Sequence, residues 1–184
     1  MFKRIKVVTL LVAVLVVLGL MQLIGGTFFM NALSKDKTNF SVAQISNQNV
    51  FEMTDAWISL NQARVTLNRG MLRLQSSMAS SINGGQLNEL VQKSNELLAD
   101  ADKHFRNYKA LPNTPGLDQR LTDDLESQFT TYITTLNAMT RLLGQGDLEG
   151  MFKQNAEQKQ VAMQDVYRQW RERYEQHPQR LHLE

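Results

Sequence analysis

Arg64, Asn68, Arg69 and Arg73 bring three guanidinium groups and one amide into a single short stretch of the chain. A guanidinium offers a planar fork of N–H donors that matches a carboxylate, so this stretch reads as recognition of a small anion. On a helix turning about 100° per residue, Arg69 and Arg73 lie about 40° apart, while Arg64 points about 140–180° away from them. One helix cannot aim all three at one ligand. Two copies paired across a two-fold axis can, because Arg64 of one subunit then approaches Arg69 and Arg73 of the other, giving two equivalent interfacial pockets. The competing reading makes these arginines solvated side chains with apolar stems laid on the helix surface. Against it, no acidic residue stands three or four positions from any of them, so local helical ion pairs do not account for them.

Other chemistry is sparse. With no cysteine there is no disulfide framework, thiolate metal site or cysteine nucleophile. Asp100, Asp102 and His104 are neighbours, but residues two apart on a helix do not share a face, which argues against a metal site. His177 and His182 fall in the tail. No zinc-protease histidine motif, nucleophile elbow, phosphate loop or paired catalytic carboxylate is present, so the chain is expected to be neither an enzyme nor dependent on a cofactor or metal. Twenty basic against eighteen acidic residues leave no extended basic face for nucleic acid. Trp57, Trp170 and the methionines read as core or interface filler, and Thr130, Thr131, Thr134 and Thr135 as a tolerated polar face.

The elements that must position the arginines are helices. Residues 7–34 carry no charge, with Lys3, Arg4 and Lys6 just before them. A 28-residue helix spans about 42 Å, more than the roughly 30 Å a hydrocarbon core requires. The run is too long for a signal-peptide core, so it is expected to be an uncleaved anchor, with residues 1–6 cytoplasmic and the rest exported. Beyond it, Val42, Ile45, Asn49, Met53, Trp57, Leu60, Arg64, Leu67, Met71 and Leu74 recur at steps of three or four to about Ser76. A second helix carries Leu87 to Tyr108 and stops before Pro112. A third carries Leu117 to Leu143. A fourth carries Phe152, Ala156, Met163, Val166, Trp170 and Tyr174 and ends near Pro178. The expected fold is all-α: an antiparallel up-down-up-down four-helix bundle over 35–180, preceded by one transmembrane helix and followed by a tail, 181–184.

The opening Met1-Phe2-Lys3-Arg4-Ile5-Lys6-Val7-Val8-Thr9-Leu10-Leu11, the Arg64 to Arg73 stretch, and Leu142-Leu143-Gly144 followed by Phe152-Lys153-Gln154 resemble enterobacterial methyl-accepting chemotaxis receptors over the whole chain. The resemblance implies an inner-membrane homodimer whose periplasmic four-helix domains bind small ligands across the subunit interface. It places Arg64, Asn68, Arg69 and Arg73 in the family's ligand-binding stretch. It sets the second half of the pocket at the start of the fourth helix, where amino-acid receptors carry phenylalanine-x-glutamine-proline-threonine-glutamine. Here that segment reads Phe152-Lys153-Gln154-Asn155-Ala156-Glu157, making Phe152, Gln154 and Glu157 further candidates.

In those receptors the threonine hydroxyl helps hold the ligand's ammonium group, and Ala156 has none to offer. Losing one hydrogen bond to a charged group costs about 1.5–3 kcal/mol, roughly ten- to a hundredfold in affinity. The expected ligand is therefore a di- or tricarboxylate such as citrate or malate, with an amino-acid ligand or a ligand-free anchored helical adaptor as alternatives. Glu157 keeps the amino-acid alternative open, because it offers an ammonium group a negative partner. The family's output is a piston-like shift of the fourth helix toward the membrane. It runs through a second membrane helix and a cytoplasmic coiled coil that contacts a kinase complex, segments that would follow Glu184. The loops near Ser76–Gly85 and Gly144–Gly150 are candidate docking points for a periplasmic binding protein, and the closing Leu183-Glu184 resembles a cloning scar.

Overall fold

A computed structural model describes residues 2–77 and 84–181. Within that range it is helices joined by short connections, with no strand among the described residues: α1 is Phe2–Ser77, α2 Gly84–Ala110, α3 Gln119–Gly144, α4 Leu148–Lys153 and α5 Ala156–Leu181. The chain divides into two units, Met1–Val42 and Ala43–Glu184.

The first unit is the N-terminal part of α1. Its described apolar side chains, including Val8, Leu11, Leu15, Leu18, Met21 and Phe29, are exposed except for Val42 at its end, which is half-buried. Among the described residues no helix is long and apolar enough to cross a membrane. The anchor expected over 7–34 takes in residues 23, 25, 27, 28, 31 and 32, whose side chains lie outside the described set, so it stands as a reading of the sequence.

The second unit is the bundle. Its connectivity can be read from pairs that touch across helices. Ser59 meets Asp100 and Arg73 meets Gln86, so α1 and α2 run in opposite directions. Ser94 with Thr140 and Lys109 with Glu126 do the same for α2 and α3. Trp57 beside Tyr132 and Arg64 beside Met139 show α1 and α3 parallel, and Thr54 with Tyr167 and Asn61 with Gln160 show α1 and α5 antiparallel. The result is the expected up-down-up-down order.

Met53, Leu60, Leu67 and Leu74 repeat every seven residues on α1 and are buried against Leu125, Phe129, Leu136, Met163 and Trp170. That apolar stripe, rather than intrinsic propensity, holds α1 in place. Gly70 lets α1 approach α3 closely, since a Cβ there would meet Leu143 Cδ2 at 2.6 Å. Asp118 caps α3 by accepting from the Arg120 N–H, and Asp147 caps α4 by accepting from the Gly150 N–H at 2.8 Å.

Four sequence expectations need correction. The fourth helix is two: α4 ends at Lys153, and Asn155, at φ 51°, occupies the left-handed region that asparagine tolerates. The Asn155 carbonyl then accepts the Lys159 N–H and opens α5. α5 passes through Pro178 to Leu181, because a proline in a last turn forfeits only one backbone donor. Leu117 precedes α3 rather than lying within it, since the Asp118 cap sets the start. Thr135 is buried, not on a polar face; its hydroxyl is satisfied by the Thr131 carbonyl at 2.9 Å.

Candidate functional site

Of the expected ligand residues, the structure gathers four around one cavity of about 370 Å³. Arg64 and Asn68 come from α1, Phe152 from α4 and Glu157 from α5, with Met71, Met139, Met151, Asn155, Ala156 and Gln158 completing the wall. Arg69 and Arg73 lie elsewhere. Arg69 lines a separate groove of about 430 Å³ between α1 and α2 with Lys93, Asn61 and Thr66, and Arg73 Nη1 donates to the Gln86 carbonyl at 3.4 Å. Gln154 is half-buried at the end of α4 and is not among the cavity-lining residues. The division follows the helical wheel: no single subunit brings the three guanidinium groups together.

Arg64 is the polar centre of the cavity. Its Nη1 lies 3.5 Å from Met139 Sδ, a weak acceptor, and among the described residues its buried Nε has no hydrogen-bond partner. No ion pair reaches Arg64, Arg69 or Arg73 among the described residues. A buried donor on a permanent cation, unpaired beside a cavity, is what an incoming carboxylate satisfies. The Tyr132 hydroxyl is also buried without a partner among the described residues, and burial pushes its phenol above the ordinary value, with the Arg64 charge acting in the opposite sense. Tyr132 therefore stays neutral and adds no competing anion.

The far wall turns at Asn155. A proline is confined to φ near −65°, so the amino-acid receptors' proline could not adopt the left-handed conformation found here. Glu157, in the first turn of α5, shares the cavity with Arg64, so the wall carries one fixed cation and one carboxylate.

Sequence reasoning missed two features. Met71, Met139 and Met151, read as core or interface filler, do belong to the core or pack against it, but they also line the cavity, where thioethers adapt to irregular ligand shapes. A second apolar stripe also runs along α1: Phe51, Ile58, Val65 and Leu72 are exposed at 60%, 45%, 50% and 66%. Their strict seven-residue spacing was the available signal, overlooked beside the buried stripe of the same period. On the wheel, Arg69 lies about 40° to one side of Val65, and Asn68 and Arg64 about 60° and 100° to the other.

His104 forms a cluster apart from the cavity. Its Nδ1 lies 2.7 Å from Glu52 Oε2 and its Nε2 3.7 Å from Asp100 Oδ1, while Ser59 donates to Asp100 at 2.7 Å. The partner on its own helix is thus Asp100, four residues away, rather than Asp102, which pairs with Arg106. No group of residues able to hold a metal ion occurs among the described residues.

A family model described as Tar ligand binding domain homologue matches residues 1–177. The chain is 34% identical over 167 residues to methyl-accepting chemotaxis protein I of Escherichia coli strain K12, covering 91% of this chain and 30% of that protein. It is 28% identical over 168 residues to the methyl-accepting chemotaxis citrate transducer of Salmonella typhimurium strain LT2, covering 91% and 31%. It is 28% identical over 154 residues to the methyl-accepting chemotaxis aspartate transducer of Klebsiella aerogenes, covering 84% and 28%. The chain thus spans about 30% of the length of the curated relatives it matches.

Proposed function

Since the chain belongs to the Tar ligand binding domain homologue family, whose role is sensory rather than enzymatic, we propose that it binds a small carboxylate at a homodimer interface and passes the binding event across a bacterial inner membrane. The observation that carries this reading is the buried, unpartnered Arg64 Nε beside a cavity shared with Asn68, Phe152 and Glu157.

The dimer reading rests on the Phe51, Ile58, Val65 and Leu72 stripe. An exposed apolar seam of strict seven-residue period matches a second copy of the same helix, because two such seams stay in contact as the helices supercoil. In a parallel two-fold pair, side chains on one flank of the seam meet the partner's opposite flank. Arg69 on one flank then approaches the partner's Asn68 and Arg64 side, completing a pocket that one subunit leaves half-built. The uncharged run at 7–34, with its exposed apolar side chains, supports a membrane anchor that puts the bundle in the periplasm.

For the ligand, three arginines and the loss of the threonine hydroxyl at Ala156 favour a di- or tricarboxylate such as citrate or malate, and one relative is named a citrate transducer. A second reading, an amino acid, is favoured by Glu157 in the cavity, which gives an ammonium group a partner opposite Arg64. Calorimetric titration with citrate, malate, aspartate and serine separates them. Heat from the carboxylates alone supports the first reading, and tight aspartate or serine binding with none for the carboxylates overturns it. Sedimentation of the Val65→Asp variant tests the seam: a shift from dimer to monomer is expected, and an unchanged dimer refutes the seam.

A further inference from the structure

Polar contacts between α1 and α5 follow a regular order. Thr54 Oγ1 and Tyr167 OH are 2.9 Å apart, and Gln160 Nε2 donates to Asn61 Oδ1 at 3.3 Å. Seven residues along α1 from Thr54 is Asn61, and seven back along α5 from Tyr167 is Gln160. Three further on each helix are Arg64 and Glu157, which face the same cavity. Toward the other end, Asn49 donates to the Pro112 carbonyl at 3.0 Å and to Thr114 Oγ1 at 3.2 Å, and Thr114 donates to Tyr174 OH at 3.1 Å. Asn49 and Thr114 are buried, so these bonds are shielded from water.

We infer that the Thr54–Tyr167 and Asn61–Gln160 rungs, anchored by the Asn49–Thr114–Tyr174 knot, fix the axial register of α5 against α1 and so bring Glu157 to the cavity that Arg64 lines. The physical basis is a division of labour. Burial of Met163 and Trp170 drives α5 onto the bundle, but apolar attraction is non-directional and tolerates sliding. Hydrogen bonds are directional and lose their energy within a fraction of an ångström, so a few of them at a helix interface select one register. A slip of one helical turn, about 5.4 Å, would set Glu157 against Leu60 or Asn68 and leave Arg64 without its counter-charge across the cavity. Thr54, Asn61, Gln160 and Tyr167 are thus positioning residues for the proposed ligand site, and the inference rests on that reading of the cavity.

The experiment uses the full chain in nanodiscs, where the lack of native cysteine leaves no background for labelling. Spin labels at Gln75→Cys and Gln169→Cys, both exposed, sit about 35 Å apart along the axis and report sliding directly when diluted with unlabelled chain. Removing both rungs with Thr54→Val and Gln160→Leu is expected to broaden the distance distribution or add a population displaced by about one turn, about 5 Å. Thr54→Ser, which keeps the hydroxyl, should retain the native distribution. Met163→Ala, which weakens packing without touching a rung, should retain it too. Should the double variant not fold, Gln160→Leu alone is measured by the same criteria. A native distribution after rung removal, or the same broadening with Met163→Ala, overturns the inference. Because the readout is a distance, it stands whether or not citrate, malate, aspartate or serine binds; failure of all four would count against the proposed function alone.

Discussion

Tyr108, Tyr167 and Tyr174 crowd Trp170 with ring centroids 4.4–6.2 Å away, whereas around Arg64 three methionines line a cavity of about 370 Å³. Both regions belong to one bundle and share α5, to which the aromatic region adds α2 and the cavity adds α1, α3 and α4. The aromatic region is filled by rigid rings packed edge and face, and although the buried Trp170 Nε1 has no hydrogen-bond partner among the described residues, that filling gives stability and a single arrangement. The cavity region exchanges that filling for flexible thioethers and a buried cation with an unpaired donor, a cost tolerated where a ligand is to be received. Stability and recognition are thus separated along the bundle axis.

The sharpest way to break this separation is Trp170→Ala, expected to lower stability by about 3–5 kcal/mol in urea denaturation while sparing the cavity residues. A loss below about 1 kcal/mol would show that the aromatic region does not dominate the fold. Arg64→Ala should do the reverse. Any ligand found by calorimetry should bind about ten- to a hundredfold more weakly, from a lost charge-assisted hydrogen bond of about 1.5–3 kcal/mol, with the unliganded melting temperature nearly unchanged. Gly70→Ala probes the slack near the cavity. The added Cβ meets the buried Leu143 at 2.6 Å, and overpacking of this kind costs about 1–3 kcal/mol; a neutral result would mean that the adaptability of the methionines extends to Leu143.

The smallest effect concerns pH. Burial raises the phenols of Tyr108, Tyr132 and Tyr174 above their ordinary value, so the native state keeps these protons when the unfolded chain begins to lose them. Their contribution is complete below about pH 10 and is lost as the pH climbs toward the raised native values, so stability should fall above about pH 10. Denaturation at pH 8 and near pH 11 measures the slope. Tyr108→Phe with Tyr174→Phe, both at the aromatic end, should flatten it more than Tyr132→Phe.

Much of the bundle was legible in the chain. The buried residues Met53, Leu60, Leu67 and Leu74 announce themselves by period, and a helical wheel alone showed that Arg64 and the Arg69–Arg73 pair diverge. Other features were not. The break at Asn155 was hidden because Phe152 and Ala156 continue the spacing of α5, and the left-handed residue that ends α4 carries no glycine to mark it. Asp100, Asp102 and His104 were set aside together because residues two apart do not share a face, yet Asp100 and His104, four apart, do, and the other contact of His104 is Glu52, distant in sequence. Met139 and Met151 read as core because burial and cavity lining place the same demand on side-chain type.

The sequence by itself determined that the bundle would be helical, which stripe of α1 would be buried and that its three arginines diverge, since these follow from a fixed angle per residue and from apolar periodicity. Only the tertiary structure decided that Glu157 lines the same cavity as Arg64 and that Arg69 and Arg73 do not. Those relations depend on the register between helices far apart in sequence, and register is set by directional contacts such as Asn61 with Gln160 that no local pattern records.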